Sequence, residues 1–152
     1  MQLILRGAAR TLGAAGSVVL AASPDSLARQ PWQWDVRVAR EPVGVSVAAD
    51  GAGIGPHHVC VRHDAAAVDV DLRAVRLGPA PARLERPSAR LWVAVVEQGV
   101  VVHGAFALDP GDVVVWEGDD PEDVRLEPAE GAALLVVADL GRTDGQALRW
   151  VP

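Results

Sequence analysis

The side chains able to do chemistry are few. Histidines stand at His57, His58, His63 and His103, the single thiol is Cys60, and all fourteen basic residues are Arg, with no Lys, Tyr or Asn in the chain. A mononuclear metal centre built from two His and a carboxylate needs imidazoles on one strand face and open positions for substrate. The spacing works against it. His57 and His58 are adjacent, and His58 and His63 are an odd number of residues apart, so in each pair the two rings leave a regular strand on opposite sides. A metal enzyme, an isomerase or dioxygenase, would need His58, His63, His103 and Glu97 to converge. The favoured reading is of surface or hydrogen-bonded histidines, and no metal or other cofactor is expected.

Other reactive arrangements are weaker still. His58 lies two residues from Cys60 and shares its strand face, but Cys60 within His58-Val-Cys-Val reads as core filling. A lone Cys allows no internal disulfide, which favours the cytoplasm. His63-Asp64 resembles part of a triad, yet strand alternation parts such neighbours, and Ser46 and Ser88 carry no nucleophile-elbow pattern. Without Lys there is no Schiff base, and without Tyr no phenolic acid. Asp69 and Asp71 share one strand face opposite Val68, Val70 and Leu72, the pattern of a solvated outer face. The acidic segment from Glu117 to Asp123 lacks calcium-loop spacing and reads as surface.

Binding is better provided for than catalysis. Arg37 can fork onto an anion. Five tryptophans dominate an aromatic set otherwise limited to Phe106. Trp34 and Trp92 suit a pocket wall as well as a core, Trp116 suits the core, and Trp150 suits a barrel seal or a dimer contact. A formal charge of -6 with scattered arginines excludes the basic stripe that nucleic acid requires. Arg6 and Arg10 before the apolar residues 17–22 faintly mimic a leader, but Gly13 and Gly16 interrupt it. No stretch is long enough to span a bilayer as a helix.

The elements that must position these groups are short strands. Runs at 2–6, 17–22, 34–40, 43–48, 58–63, 67–76, 90–97, 100–103, 112–117, 124–126, 132–138 and 147–151 are bounded by Gly, Pro and Asp. So many strands call for a sandwich or barrel, with at most a helical turn in 7–15 and another in 24–29. Residues 50–56 form a Gly-rich loop, and 78–88, with Pro79, Pro81 and Pro87, form an extended crossing. At 152 residues the chain suits one domain, with a first lobe at about 1–77 and a second at about 89–152. In Leu108-Asp-Pro-Gly-Asp112, Pro110 and Gly111 suit the central positions of a type II turn, and Asp112 can bond back to the backbone.

The spacing Gly99-x4-Gly104-x3-Leu108-x2-Gly111-Asp112 resembles the strand-turn-strand signature of cupins, and Ala132-Ala-Leu-Leu-Val-Val-Ala138 looks like a barrel's closing strand. Residues 10–24 followed by Trp32-Gln-Trp-Asp-Val-Arg-Val-Ala39 are similar to the opening of the HutD/Ves family of cupin-like proteins. The family's Trp-Lys-Asn opening is missing here, with only Gly13 and Gly16 kept, and its Phe-Ser loop is replaced by Pro42-Val-Gly-Val-Ser-Val47. Arg37 is the residue that best matches the family's Trp-Arg strand. The resemblance implies an all-β, cupin-like double-stranded β-helix barrel of two related lobes in one compact domain with minimal helix. It further implies a regulatory or accessory role in amino-acid (histidine) utilisation or in stress response. The expectation is therefore a non-enzymatic cupin, monomeric or homodimeric, binding a small anionic metabolite through Arg37, Trp34, Trp92, His58 and His103. A metal-dependent enzyme and a ligand-free structural dimer are the alternatives, and neither nucleic acid nor membrane is an expected partner.

Overall fold

A strand that is apolar without alternation is buried on both faces, and Leu91-Trp-Val-Ala-Val-Val96 is such a run. It lies in the middle layer of the molecule. The computed structural model describes residues 2–10, 17–23, 33–39 and 58–150. Their strands are β1 (Leu3–Leu5), β2 (Ser17–Ala22), β3 (Trp34–Ala39), β4 (His58–His63), β5 (Val68–Leu77) and β6 (Ala82–Glu85). Then come β7 (Leu91–Gln98), β8 (Val101–His103), β9 (Phe106–Leu108), β10 (Val113–Trp116), β11 (Asp123–Pro128) and β12 (Ala133–Arg142). The helical content described is one 3-10 turn, Ala8–Arg10.

The strand order identifies the architecture. From β5 onward eight strands are distributed between two antiparallel sheets, ordered β10-β7-β12-β5 (with β1 added beside β10) and β6-β11-β8-β9. The first of the eight pairs with the last, the second with the seventh, the third with the sixth and the fourth with the fifth. That nested pairing is the double-stranded β-helix, which manages sheet edges by winding two sheets face to face. The fold is all-β and cupin-like, as the glycine spacing implied.

A third sheet, β2-β3-β4, completes the described strands. The five-stranded sheet is sandwiched. One face, carrying Trp92, Ala94, Val96, Val114, Trp116, Leu135 and Val137, packs on Val101, Leu108, Val124 and Leu126 of the four-stranded sheet. Its other face, carrying Leu91, Val93, Val95, Val113, Val136 and Ala138, shares a core with Leu20, Trp34, Val36, Val38, Val59 and Val61 of the three-stranded sheet. Two cores thus use one wall.

The expected division of the chain needs correcting. β5 pairs with β12 along its whole length, so the eight-stranded unit begins at Val68 rather than near residue 89. Within the proline-rich 78–88, Ala82–Glu85 forms an edge strand paired with β11, a place where flanking prolines cost no ladder bond. Phe106–Leu108 is a further short strand that was not expected, and residues 147–150 form none. The expected strand at 43–48, the loop at 50–56 and the turn at 24–29 lie outside the described residues.

The Gly99–Asp112 motif is explained by contacts. Gly99 has φ +72, and a Cβ there would meet the Ala132 carbonyl oxygen at 2.6 Å. Gly111 has φ +91, as the second central position of a type II turn requires, and the Asp112 N–H closes that turn on the Asp109 carbonyl at 2.9 Å. The buried Asp112 carboxylate then accepts the Gly7 N–H at 2.6 Å, the Asp109 N–H at 2.9 Å and Arg6 Nη1 at 2.8 Å. Burial opposes its ionisation, but these bonds outweigh burial and hold its carboxyl below the usual range. The motif's aspartate thus ties the N-terminal strand to the barrel.

Candidate functional site

Along β3 the side chains alternate between core and far face. Trp34, Val36 and Val38 enter the core, while Asp35 and Arg37 leave on the other side. In register, Asp35 lies opposite Arg62 and Arg37 opposite Cys60, both on β4. The result is a carboxylate clasped by two guanidiniums. Asp35 is 2% exposed. It accepts Arg37 Nε on Oδ1 at 3.0 Å and Arg37 Nη2 on Oδ2 at 3.3 Å. From the other strand it takes Arg62 Nε at 2.9 Å and, closer still, Arg62 Nη2. Burial alone would raise the Asp35 pKa, but the bonds from Arg62 and Arg37 prevail and hold the carboxyl below its ordinary value. Within the cluster one carboxylate thus meets two guanidiniums. Arg37 is bound by its Nε–Nη2 edge, which leaves the Nη1 end outside those bonds.

The other expected ligand residues do not join it. Trp34 and Trp92, expected as pocket walls, are each 1% exposed and sit in different cores on opposite sides of the five-stranded sheet. They are core filling. Trp116 is core, as expected, and stands edge-on to Trp92 with ring centroids 6.5 Å apart. His58 is placed by its backbone in β4, opposite Ala39, and its side chain lies outside the described residues.

His103 lies at the rim of the eight-stranded unit. Its Nδ1 is 2.8 Å from the Arg125 carbonyl oxygen, and its Nε2 is 3.4 Å from Trp116 Nε1 and 3.1 Å from Gln2 Oε1. The ring stands edge-on to Trp116 at 5.4 Å. It borders an open cleft of about 350 Å³, with Val102, Gly104, Asp123, Arg125 and Glu127. The cleft mixes both signs of charge on a solvated face.

Of the alternative metal set, the described side chains His63, His103 and Glu97 are not brought together. His63 Nδ1 is spent on the Val68 carbonyl oxygen at 2.8 Å, and His103 is engaged across the barrel. Glu97 is buried on β7, and burial pushes its carboxyl up to about 8. Among the described residues no three His, Cys, Asp or Glu side chains gather to hold a metal ion.

Two polar arrangements went unforeseen. Asp69 and Asp71 do leave β5 opposite its apolar residues, but they are ion-paired rather than simply solvated. Arg90 bridges Asp139 and Asp69 (2.8 Å to the latter), while Arg73 bonds Asp71 at 3.2 Å, nears Asp139 at 3.7 Å and lies 4.9 Å over the Trp92 ring. The second is Arg86, 1% exposed, which donates to the carbonyls of Arg90 at 2.7 Å, Gly118 at 3.1 Å and Asp120 at 2.5 Å. It pins two loops together. Asp120, expected as surface, is buried and caps its own loop through the Glu117 N–H at 2.9 Å. The i, i+2 pairs were visible in sequence, whereas Arg62, Arg86, Arg90 and Asp139 join through strand register and loop closure.

No family model and no curated protein matches the chain. Among solved structures, a conserved protein of unknown function from Pseudomonas aeruginosa PAO1 is similar at a TM-score of 0.58 and 15% identity, covering 93% of this chain and 99% of that one. A cupin 2 domain-containing protein from Halorhodospira halophila matches at a TM-score of 0.36 and 16% identity, covering 89% and 81%. The first likeness concerns the fold alone. The HutD/Ves resemblance rests on the residues quoted for it and on none of these matches. No helix among the described residues is long and apolar enough to cross a membrane.

Proposed function

We propose that this chain is a non-enzymatic small-molecule-binding protein, and that it takes an anionic metabolite at Arg37 on the far face of the three-stranded sheet. One observation carries the reading. Asp35 is sealed from solvent yet ionised, and it fixes Arg37 by one edge of the guanidinium while leaving the other end for a guest. A pre-oriented guanidinium loses little freedom on binding a carboxylate or phosphate, which is what makes such a group selective. The barrel beyond contributes scaffold, because Trp92, Trp116 and their apolar neighbours fill its interior.

The role we assign is regulatory or accessory, and the resemblance of the opening segments to the HutD/Ves family supports amino-acid utilisation, histidine in particular, or stress response as its setting. A calorimetric screen of small carboxylates, phosphates and amino acids, histidine among them, tests the site. Saturable binding of at least one anion is expected, with affinity falling about tenfold or more in Arg37→Ala, the worth of a charge-assisted hydrogen bond. Binding that ignores Arg37→Ala, or no saturable binding of any anion, removes this reading.

A further inference from the structure

The outer face of the four-stranded sheet carries charges that its ladder places badly. Along β11, Val124 and Leu126 enter the barrel core, while Asp123, Arg125 and Glu127 leave on the outside. Pairing with β6 sets like against like there, Arg125 opposite Arg83 and Asp123 opposite Glu85. Such rungs cost stability. Asp123 reaches diagonally to Arg83 at 3.5 Å, which leaves Glu127 as the carboxylate two residues from Arg125 on the same face. Those two do not close on each other. Elsewhere an arginine two residues from an aspartate meets it, as Arg37 meets Asp35 at 3.0 Å, Arg73 meets Asp71 at 3.2 Å and Arg142 meets Asp144 at 2.7 Å. Among the described residues, neither the Arg125 guanidinium nor the Glu127 carboxylate forms an ion pair.

Both side chains border the cleft of about 350 Å³ beside His103. Gly104, at the end of β8, has open space where a Cβ would go, so no side chain fills the cleft from that turn. Val102, in register with Glu127, and Pro121 give it apolar walls. His103 Nδ1 donates to the Arg125 carbonyl at 2.8 Å and steadies the strand behind the guanidinium. We infer that this cleft is a second binding site, for a small zwitterion of the α-amino acid class with an apolar side group. The guest's carboxylate lies on Arg125, its ammonium on Glu127 and its side group against Val102 and Pro121. Residues i and i+2 of a strand stand about 7 Å apart on one face, an interval that a guest with opposite charges on one short skeleton bridges. A simple carboxylate meets repulsion from Glu127 and Asp123, and a simple amine meets it from Arg125, so each single-charge analogue is rejected. The cleft thus selects a guest of no net charge, whereas the guest assigned to Arg37 is an anion. The five-stranded sheet lies between the two sites.

Calorimetric titration of the full chain with L-valine, 3-methylbutanoate and 2-methylpropylamine separates the two charges, since the second compound lacks the ammonium of the first and the third lacks its carboxylate. Saturable binding of L-valine is expected, at least tenfold tighter than either analogue. Arg125→Gln and Glu127→Gln are each expected to weaken L-valine about tenfold, and Glu127→Gln to bring 3-methylbutanoate level with it. Thermal melts confirm folding, and if a variant does not fold the comparison of the three compounds on the wild type stands alone. Absence of saturable L-valine binding overturns the inference. So does wild-type binding of 3-methylbutanoate as tight as that of L-valine, or L-valine binding that either folded variant retains undiminished. L-valine binding that falls in Arg37→Ala places the guest at the other site and overturns it as well.

Discussion

Glu97 shows what one buried carboxyl does to the whole. Its ionisation is resisted by burial, so the folded state holds the proton up to about pH 8 while the unfolded chain releases it near the ordinary 4.5. Below the unfolded value both states carry the proton and Glu97 costs nothing. Between the two values the unfolded chain has fewer protons bound, so stability falls as pH rises, and above about 8 the loss is complete. Asp35 and Asp112 act in the opposite sense. Their lowered values give stability that is present near neutrality and lost on acidification. Glu97→Gln is therefore expected to gain on the wild type by a few kcal/mol between weakly acidic pH and pH 8. Denaturant titrations at several pH values measure the difference, and one that stays constant with pH would show that Glu97 ionises normally.

At the scale of elements, glycines with positive φ are not alike. Gly99 and Gly104 both have left-handed backbone, but Gly104 has open space where a Cβ would go, while Gly99 is pressed against the backbone of Ala132 and Ala133. Gly104→Ala should cost about 1 kcal/mol, the conformational term alone. Gly99→Ala should cost clearly more, because a carbonyl oxygen must move and with it the start of β12. Equal losses in chemical denaturation would contradict the packing argument.

Much at this level was legible beforehand. Glycine spacing, the Pro-Gly turn and apolar runs marked β2, β4, β7 and β10 to within a residue or so, because local backbone chemistry decides them. β6 and β9 were hidden for a physical reason: an edge strand of three or four residues gets its conformation from its neighbour's ladder rather than from its own pattern. The site was less legible than the fold. Asp35 and Arg37 form a visible i, i+2 pair, but that pairing means Arg37 spends its better edge on the protein itself. Trp34 and Trp92 could not be told from pocket residues without knowing that the five-stranded sheet is covered twice. An unalternating strand carried that information, since both of its faces must be buried.

At the scale of the molecule, the shared wall predicts cooperativity. The core under the three-stranded sheet and the core inside the barrel are both built on β7 and β12, so neither can be exposed without loosening the other. Trp34 reports on the first and Trp92 and Trp116 on the second. Thermal or denaturant unfolding followed in Trp34→Phe and in Trp92→Phe should give coincident midpoints after correction for each variant's own stability shift. Two resolved transitions in wild-type calorimetry would mean that the layers melt separately.

The place of β1 has a consequence for how the chain is made. Leu3, Ile4 and Leu5 pair with Val115, Val114 and Val113, more than a hundred residues downstream. Contacts so distant in sequence form late, since the intervening loop must close before they return anything. On the ribosome β1 emerges before its partner β10 and waits for it until the Asp112 turn has cleared the exit tunnel. β1 thus waits for a partner made more than a hundred residues later, and the Arg6 and Gly7 bonds to Asp112 are the latch that closes behind it.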